Sequence, residues 1–331
     1  MFHVLAATLL TLIFGLPVLG LSELASVLPN SPAVRTAFLI LCPVLYALGF
    51  VLTAGLMSLP FHGSIVAGSF RRDLSDPAYR NRRIYGLCWT AVFYFTPIYW
   101  MFLTVPPLKT LLFRLFGYRG QMKFTVYPDT WIRDLPLLEF GEGAYIANKS
   151  TIGTNVCLND GTILVDRVSL GKGAMVGHMT MLAPGVVMEE GAEVGVGTAL
   201  GMRARLGAGV SIGACSQVGH LVRMEAGSST GSSVDVGAGS RIGPRIHLPG
   251  GTFVPKRTKW NTAEEMRAAL SAGEPNSAPS ATPEARRSAR ARRAAADRAA
   301  PEGAVADGDV TRFATANGAS AEFRLNWNAF E

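Results

Sequence analysis

Three sets of residues in this chain of 331 residues have types and spacings that could do chemistry. The first is centred on His178, in the segment VGHMTM. Asp160 precedes it at a spacing of 18, and Glu142 precedes Asp160 at the same spacing. A carboxylate beside an imidazole fixes its tautomer and raises its basicity, as a general base acting on a hydroxyl or amine requires. The second is His220, in the related segment VGHLVR. Its own series at that spacing is Asn148, Asp166, Pro184, Met202, His220, Ala238, with no acid one step away, so it is the second candidate base. The third is a cationic series, Arg205, Arg223, Arg241 and Lys259, again 18 apart. Lys256 and His220 are expected on the same face, with Arg203 and Arg257 at its corners and no acidic residue among its upper members. Like charges roughly 5 Å apart repel unless an anion or solvent compensates them. Such a row suits the phosphates of coenzyme A or another carrier; a solvated basic surface, or one facing anionic lipid, is the alternative.

Other chemistries find little support. His178, His220 and His247 do not fall within one such step of each other, which argues against a stacked histidine metal site. Cys42, Cys88, Cys157 and Cys215 form no CxxC pair and suggest neither a disulfide framework nor zinc. Asn148, Asn155 and Asn159 read as corner residues. There is no P-loop and no dinucleotide-binding fingerprint.

The spacing of 18 matters because of what underlies it. From Phe140, steps of six reach Ile146, Ile152, Leu158, Leu164 and onward to Val254, and nineteen of these twenty positions are large and apolar. The next residue is glycine in twelve of the twenty, and the fifth place of each hexad is always Ala, Ser, Thr, Val or Ile. This period is neither the 3.6 of a helix nor the 2 of an ordinary strand. It fits short strands joined by tight corners, three to a coil, each coil rising about 4.8 Å. Positions three hexads apart then stack, which places Asp160 beneath His178 and Glu142 beneath Asp160. No hexad contains an insertion, so almost seven unbroken coils are expected.

The hexads over about 136–260 resemble the hexapeptide-repeat acyltransferase family. The resemblance implies a left-handed parallel β-helix, a homotrimer, an acyl-CoA or carrier-bound thioester donor, and a catalytic histidine at the third place of a hexad, where His178 and His220 both stand. An apolar run followed by FRLFG and then hexads is also similar to the C-terminal membrane-plus-prism modules of poly-lysine synthetases. The adenylation and carrier domains of those enzymes are not recognisable here.

The composition says where such a prism would work. The chain is 49% hydrophobic and 17% charged, against about 25% charged for an average soluble chain. Its net charge of +7 comes mainly from residues 1–120, which argues against a nucleic-acid partner and for a membrane protein with basic loops. Helices at about 2–21 and 36–60 are long enough to cross a bilayer. The Arg-rich link 61–83 faces the cytoplasm by the positive-inside rule. Residues 84–106, broken by Pro97, are expected as a membrane-embedded hairpin, with 108–118 an amphipathic helix on the headgroups. Three regions follow: a membrane domain over 1–120, a β-helix over 121–260, and a mostly disordered Ala/Arg/Ser/Pro-rich tail over 261–331 with a helix near 262–271. The whole reads as a bacterial inner-membrane acyltransferase with its prism on the cytoplasmic side, acting on a hydroxyl or amine of a small-molecule or lipid-linked acceptor, without a metal. The rival readings are a non-catalytic membrane-tethered scaffold and a ligase of amino acids or short peptides.

Overall fold

The computed structural model describes residues 2–271. Two apolar helices come first, α1 (Phe2–Val27) and α2 (Pro32–Ser58). Ser31 caps α2 and Pro32 opens it, a position where the missing N–H of proline costs nothing. Both helices are long and apolar enough to cross a membrane. Next come a short link strand, Gly68–Arg71, then α3 (Pro77–Tyr94), α4 (Thr96–Thr104) and α5 (Pro106–Leu115). The axis bends by 82° between α3 and α4, where Pro97 in the first turn of α4 removes a helical donor. A bent hairpin was expected over 84–106, but α3 starts earlier, at Pro77, capped by the Asp76 carboxylate.

The reason is that one side of α3 is committed to protein. Trp89 Nε1 donates to the Ile132 carbonyl at 2.8 Å, and the Tyr85 hydroxyl donates to Phe116 O at 2.9 Å while accepting from Leu135 N at 3.2 Å. The Arg82 guanidinium pairs with Asp134, whose carboxylate also accepts from Thr154 Oγ1 at 2.6 Å. A side chain at Gly86 would run into Arg133, so the absence of one there lets Arg133 reach this cluster. Asp134 is fully buried and Arg82 nearly so. Desolvation alone would raise the Asp134 pKa, but Arg82 and Arg133 outweigh it and hold the carboxyl below its ordinary value.

The β-helix follows, as the hexads require. Three parallel sheets of seven strands each form a triangular left-handed prism. The first face runs from Thr125–Val126 to His247–Leu248, the second from Trp131–Ile132 to Phe253–Val254, and the third from Leu138–Phe140 to Lys259–Trp260. The hexad residues Ile146, Val176, Leu206 and Ile242 point inward and are solvent-free, as are the small fifth residues Ala144, Ala174 and Ala204. Corners need a left-handed residue. Glycine supplies it at Gly191 (φ 65°), and Met179, beside His178, adopts it at φ 54° despite its side chain. A last helix, α6 (Ala263–Ser271), covers the final coil with Met266 buried beneath it. This helix matches the one expected near 262–271; the rest of the 261–331 tail lies outside the described residues.

One expectation is overturned. The coils are not unbroken, because the segment between Thr154 and Arg167 leaves the prism as an antiparallel hairpin, Asn155–Cys157 paired with Thr162–Val165. The strand Gly68–Arg71 adds to its outer edge, with Phe70 opposite Ile163. Below, across the hairpin, Met175 pairs with Tyr145, five hexads earlier; above, it pairs with Glu193, only three hexads later. The difference is two whole hexads, so the insertion keeps the six-residue phase and Leu158 and Leu164 pass for core positions. The prism also begins before Phe140, with Val126 and Ile132 as inward residues of its first coil.

Candidate functional site

The hairpin rewrites the stacking beneath His178. Met179 N bonds to Asn148 O at 3.1 Å and Gly197 N to His178 O at 2.8 Å. His178 therefore stands on Asn148 and under Val196, in the third coil, at the corner between the first and second faces. Asp160 lies at the hairpin turn, where its carboxylate accepts from Thr162 N at 2.8 Å; hydrogen bonds from Thr162 hold it below the ordinary carboxylate value. Glu142 sits at a different corner, beneath Lys172, with its own ion pair to Lys123 at 3.1 Å. The His178–Asp160–Glu142 stack is thus not formed, since the two inserted hexads displace both acids. Met175, Met179 and Val196, at neighbouring places, are 42%, 57% and 40% exposed, and His178 is exposed with them.

The cationic ladder is formed as its spacing requires. Arg205 pairs in register with Arg223, Arg223 with Arg241, and Arg241 with Lys259, in four successive coils of the third face. All four side chains point outward into solvent. The expectation of no acid on this face fails at one rung, because Glu225, at the corner after Met224, reaches Arg241 at 2.8 Å. At the neighbouring corner Arg203 pairs with Asp166 at 2.9 Å. Lys256 and Arg257 occupy the same corner three coils higher and are exposed.

His220 is on the corner shared by the second and third faces, directly beside the ladder. Its Nδ1 accepts from Met202 N at 2.8 Å, so the neutral ring carries its proton on Nε2. Burial holds its pKa below the ordinary 6.5. With Nδ1 taken by a backbone N–H, His220 does not offer that nitrogen as a base. His178 and the ladder, by contrast, occupy a corner and the face opposite it, and one chain cannot bring them together. Among the described residues no three His, Cys, Asp or Glu side chains gather as a metal set.

Two features of the site escaped sequence reasoning, and one had a signal. Asn159-Asp160-Gly161 is strong hairpin-turn chemistry. The Glu225–Arg241 pair had no such mark.

No family model matches this chain, and no curated protein matches it. Among solved structures it is similar to a GDP-perosamine N-acetyltransferase mutant from Caulobacter crescentus, crystallised with CoA and GDP-perosamine. The identity is 18%, covering 44% of this chain and 60% of that one, with a TM-score of 0.25. It is similar to a UDP-N-acetylglucosamine acyltransferase from Francisella novicida at 12% identity, over 41% and 62% of the two chains, with a TM-score of 0.31. A third is the acetyltransferase domain of PglB from Neisseria gonorrhoeae in complex with acetyl coenzyme A, at 19% identity over 46% and 62%, with a TM-score of 0.17. The chain thus spans about three fifths of the length of these structures. Likenesses this distant carry no argument about what this chain binds.

Proposed function

We propose that this chain is a membrane-anchored acyltransferase that takes its acyl group from a coenzyme A thioester. The observation that carries the reading is the ladder of Arg205, Arg223, Arg241 and Lys259, three of whose rungs have no carboxylate partner among the described residues. Guanidiniums held one coil apart suit a diphosphate, which accepts paired hydrogen bonds from them. His178 and Lys259 are about four coils apart in height, roughly 20 Å at about 4.8 Å per coil, on the scale of an extended pantetheine arm.

His178 acts as the general base. It takes a proton from the acceptor hydroxyl or amine, whose lone pair attacks the thioester carbonyl. The carbon–sulfur bond breaks and the thiolate leaves, receiving the proton from the imidazolium. Asn148, one coil below, occupies the place in the stack where Asp160 was expected. Because His178 and the ladder lie on opposite sides of one prism, the complete site is composed of two copies, and a closed trimer supplies three such sites. The second face suits that contact, since above His178 its outward residues are Met181, Ala199, Gln217, Asp235 and Phe253, of which only Asp235 is charged. The apolar helices α1 and α2 hold the prism at a bacterial inner membrane, on the cytoplasmic side where acyl-CoA is found, and the acceptor is lipid-linked or otherwise amphipathic.

Calorimetry of the detergent-solubilised full chain with acetyl-CoA tests this. Binding by the natural sequence and its loss in Arg223→Glu/Arg241→Glu is the expected result. A non-catalytic tethered scaffold, favoured by the rigid tie between α3 and the first coil, would bind no coenzyme A in either protein. A folded His178→Ala chain that transfers acyl groups at the full rate would remove His178 from the mechanism. The amino-acid ligase reading rests on family resemblance alone and would call for a carrier-protein donor.

A further inference from the structure

The junction between α3 and the first coil holds more positive charge than it neutralises. Arg82 and Arg133 bring two guanidiniums to one carboxylate, that of the fully buried Asp134. Arg82 pairs with it directly. Arg133 does not: its Nε stands 3.7 Å from Asp134 Oδ1, too far for a hydrogen bond. Among the described residues, Arg82 Nε, Arg133 Nε and Asp134 Oδ1 are all buried without a hydrogen-bond partner. Burial holds the Arg133 pKa below its ordinary value; Asp134 opposes this, and Arg82 and Arg83 add to it. A buried cation without a counter-ion is costly unless an anion reaches it. The way in is at Arg133, whose side chain is 16% exposed against 4% for Arg82.

The position of the cluster narrows the anion. Helix α3 crosses the base of the prism along one of its sides. Arg82 meets Asp134, Gly86 meets Arg133, Trp89 meets Ile132, and Phe93 packs edge-on against Trp131 with ring centroids 5.0 Å apart. At the far end of α3 Tyr94 is exposed, as is Trp100 of α4. Exposed aromatic rings beside apolar helices mark the headgroup level of a bilayer, and α3 carries that level along the foot of the prism to the arginines. The link strand and the start of α3 add the exposed Arg71, Arg72 and Arg80, which draw anionic lipid to this surface. We infer that the junction binds the phosphate of an anionic phospholipid, with Arg133 as the residue that holds it. One singly charged phosphodiester brings the cluster to neutrality, two guanidiniums against Asp134 and the lipid. A guanidinium offers the paired donors that suit a phosphate. Gly86 is part of the site, because a side chain there would take the place of Arg133 Nη2. The site is separate from the ladder and does not depend on the nature of the acyl donor.

The test is thermal unfolding of the full chain in a neutral detergent, titrated with dioleoyl-phosphatidylglycerol, dioleoyl-phosphatidylcholine or inorganic phosphate. It is run on the natural sequence, on Arg133→Gln, and on Arg71→Gln/Arg72→Gln as a control for surface charge outside the junction. Phosphatidylglycerol should raise the melting temperature of the natural sequence saturably, and the other two ligands should not at the same concentrations. Arg133→Gln keeps the Arg82–Asp134 pair and should bind phosphatidylglycerol about tenfold more weakly or worse, the worth of a lost charge-assisted contact. The control should change affinity by less than about twofold. Native mass spectrometry of the natural sequence should retain one phosphatidylglycerol per chain, a readout that needs no variant. No saturable effect and no retained lipid would overturn the site. An effect undiminished in Arg133→Gln, or lost equally in the control, would reduce it to diffuse attraction and overturn it as well. Inorganic phosphate matching phosphatidylglycerol would overturn the lipid as its source.

Discussion

If the ladder exists to bind an anion, the empty protein holds it at a cost in stability, and removing one rung should stabilise the fold. Arg223 is the rung to remove. It lies one coil from Arg205 below and Arg241 above, and Arg241 is already offset by Glu225 at 2.8 Å. The uncompensated repulsion is therefore mainly between Arg223 and Arg205. Two unit charges about 5 Å apart in a water-like dielectric repel by about 1 kcal/mol, and exposed heads separated by more than the ~10 Å Debye length at 0.1 M salt feel little of each other. Arg223→Gln should thus raise stability by up to about 1 kcal/mol at low ionic strength, a shift of roughly 2–4 °C in melting temperature for a chain of this size. The gain should shrink at high salt. Added coenzyme A should reverse the order, because a ligand that binds only the folded state stabilises by RT ln(1 + [L]/Kd) and the variant binds it less well. Thermal unfolding of both proteins at low and high salt, with and without coenzyme A, reads all of these. A variant less stable than the natural sequence by the same amount at both salts would show that Arg223 serves packing, and the reasoning from repulsion would fail.

The junction between helices and prism should be far more sensitive than the ladder. Asp134→Asn leaves the buried Arg82 without its carboxylate, a loss of about 3–5 kcal/mol. Chemical denaturation should show it, and Arg82→Met in the same chain should recover part of it; a loss under about 1 kcal/mol would mean the pair is not buried as described. Excision of residues 155–166 joins Thr154 to Arg167 and restores an uninterrupted hexad between Ile152 and Leu170. The prism should keep its circular dichroism spectrum, while the link strand Gly68–Arg71 loses its partner and becomes sensitive to protease. Loss of the β-helix on excision would contradict the view of the hairpin as an insert. The half-buried His220 ring supplies a pH dependence. Its folded pKa lies below the ordinary 6.5, so protonation favours the unfolded chain and stability should decline as pH falls through that value. His220→Asn should flatten the decline; an unchanged profile would assign it to another group.

The prism was legible because its period is enforced at every coil. Large apolar residues at nearly every sixth position fill the narrow interior, and Val176, Leu182 and Met188 each report it independently. The hairpin was illegible for the same reason. Its two hexads preserve the phase, and Leu158 and Leu164 satisfy the apolar template although neither points into the prism. Stacking above the hairpin was therefore read correctly, as the in-register Arg205, Arg223, Arg241 and Lys259 show, and stacking across it was not, which is how Asp160 came to be placed beneath His178. The partner of Arg241 was missed on different grounds. Glu225 belongs to a corner column, and only the reach of its side chain brings it to the third face.

The two histidines divide the chemistry differently once the prism is built. His220 is next to the ladder but is locked, its Nδ1 occupied by a backbone N–H, so it can orient an anion but not accept a proton at that nitrogen. His178 is exposed, yet the ladder is on the far side of its own prism. Neither histidine on a single chain combines an available basic nitrogen with a phosphate track beside it. In the proposed trimer the combination would arise where the His178 corner of one copy meets the third face of another, with the low-charge second face as the surface between them. Activity and assembly would then be one property: a chain unable to associate would still bind donor through its ladder, and would have no base to complete the transfer.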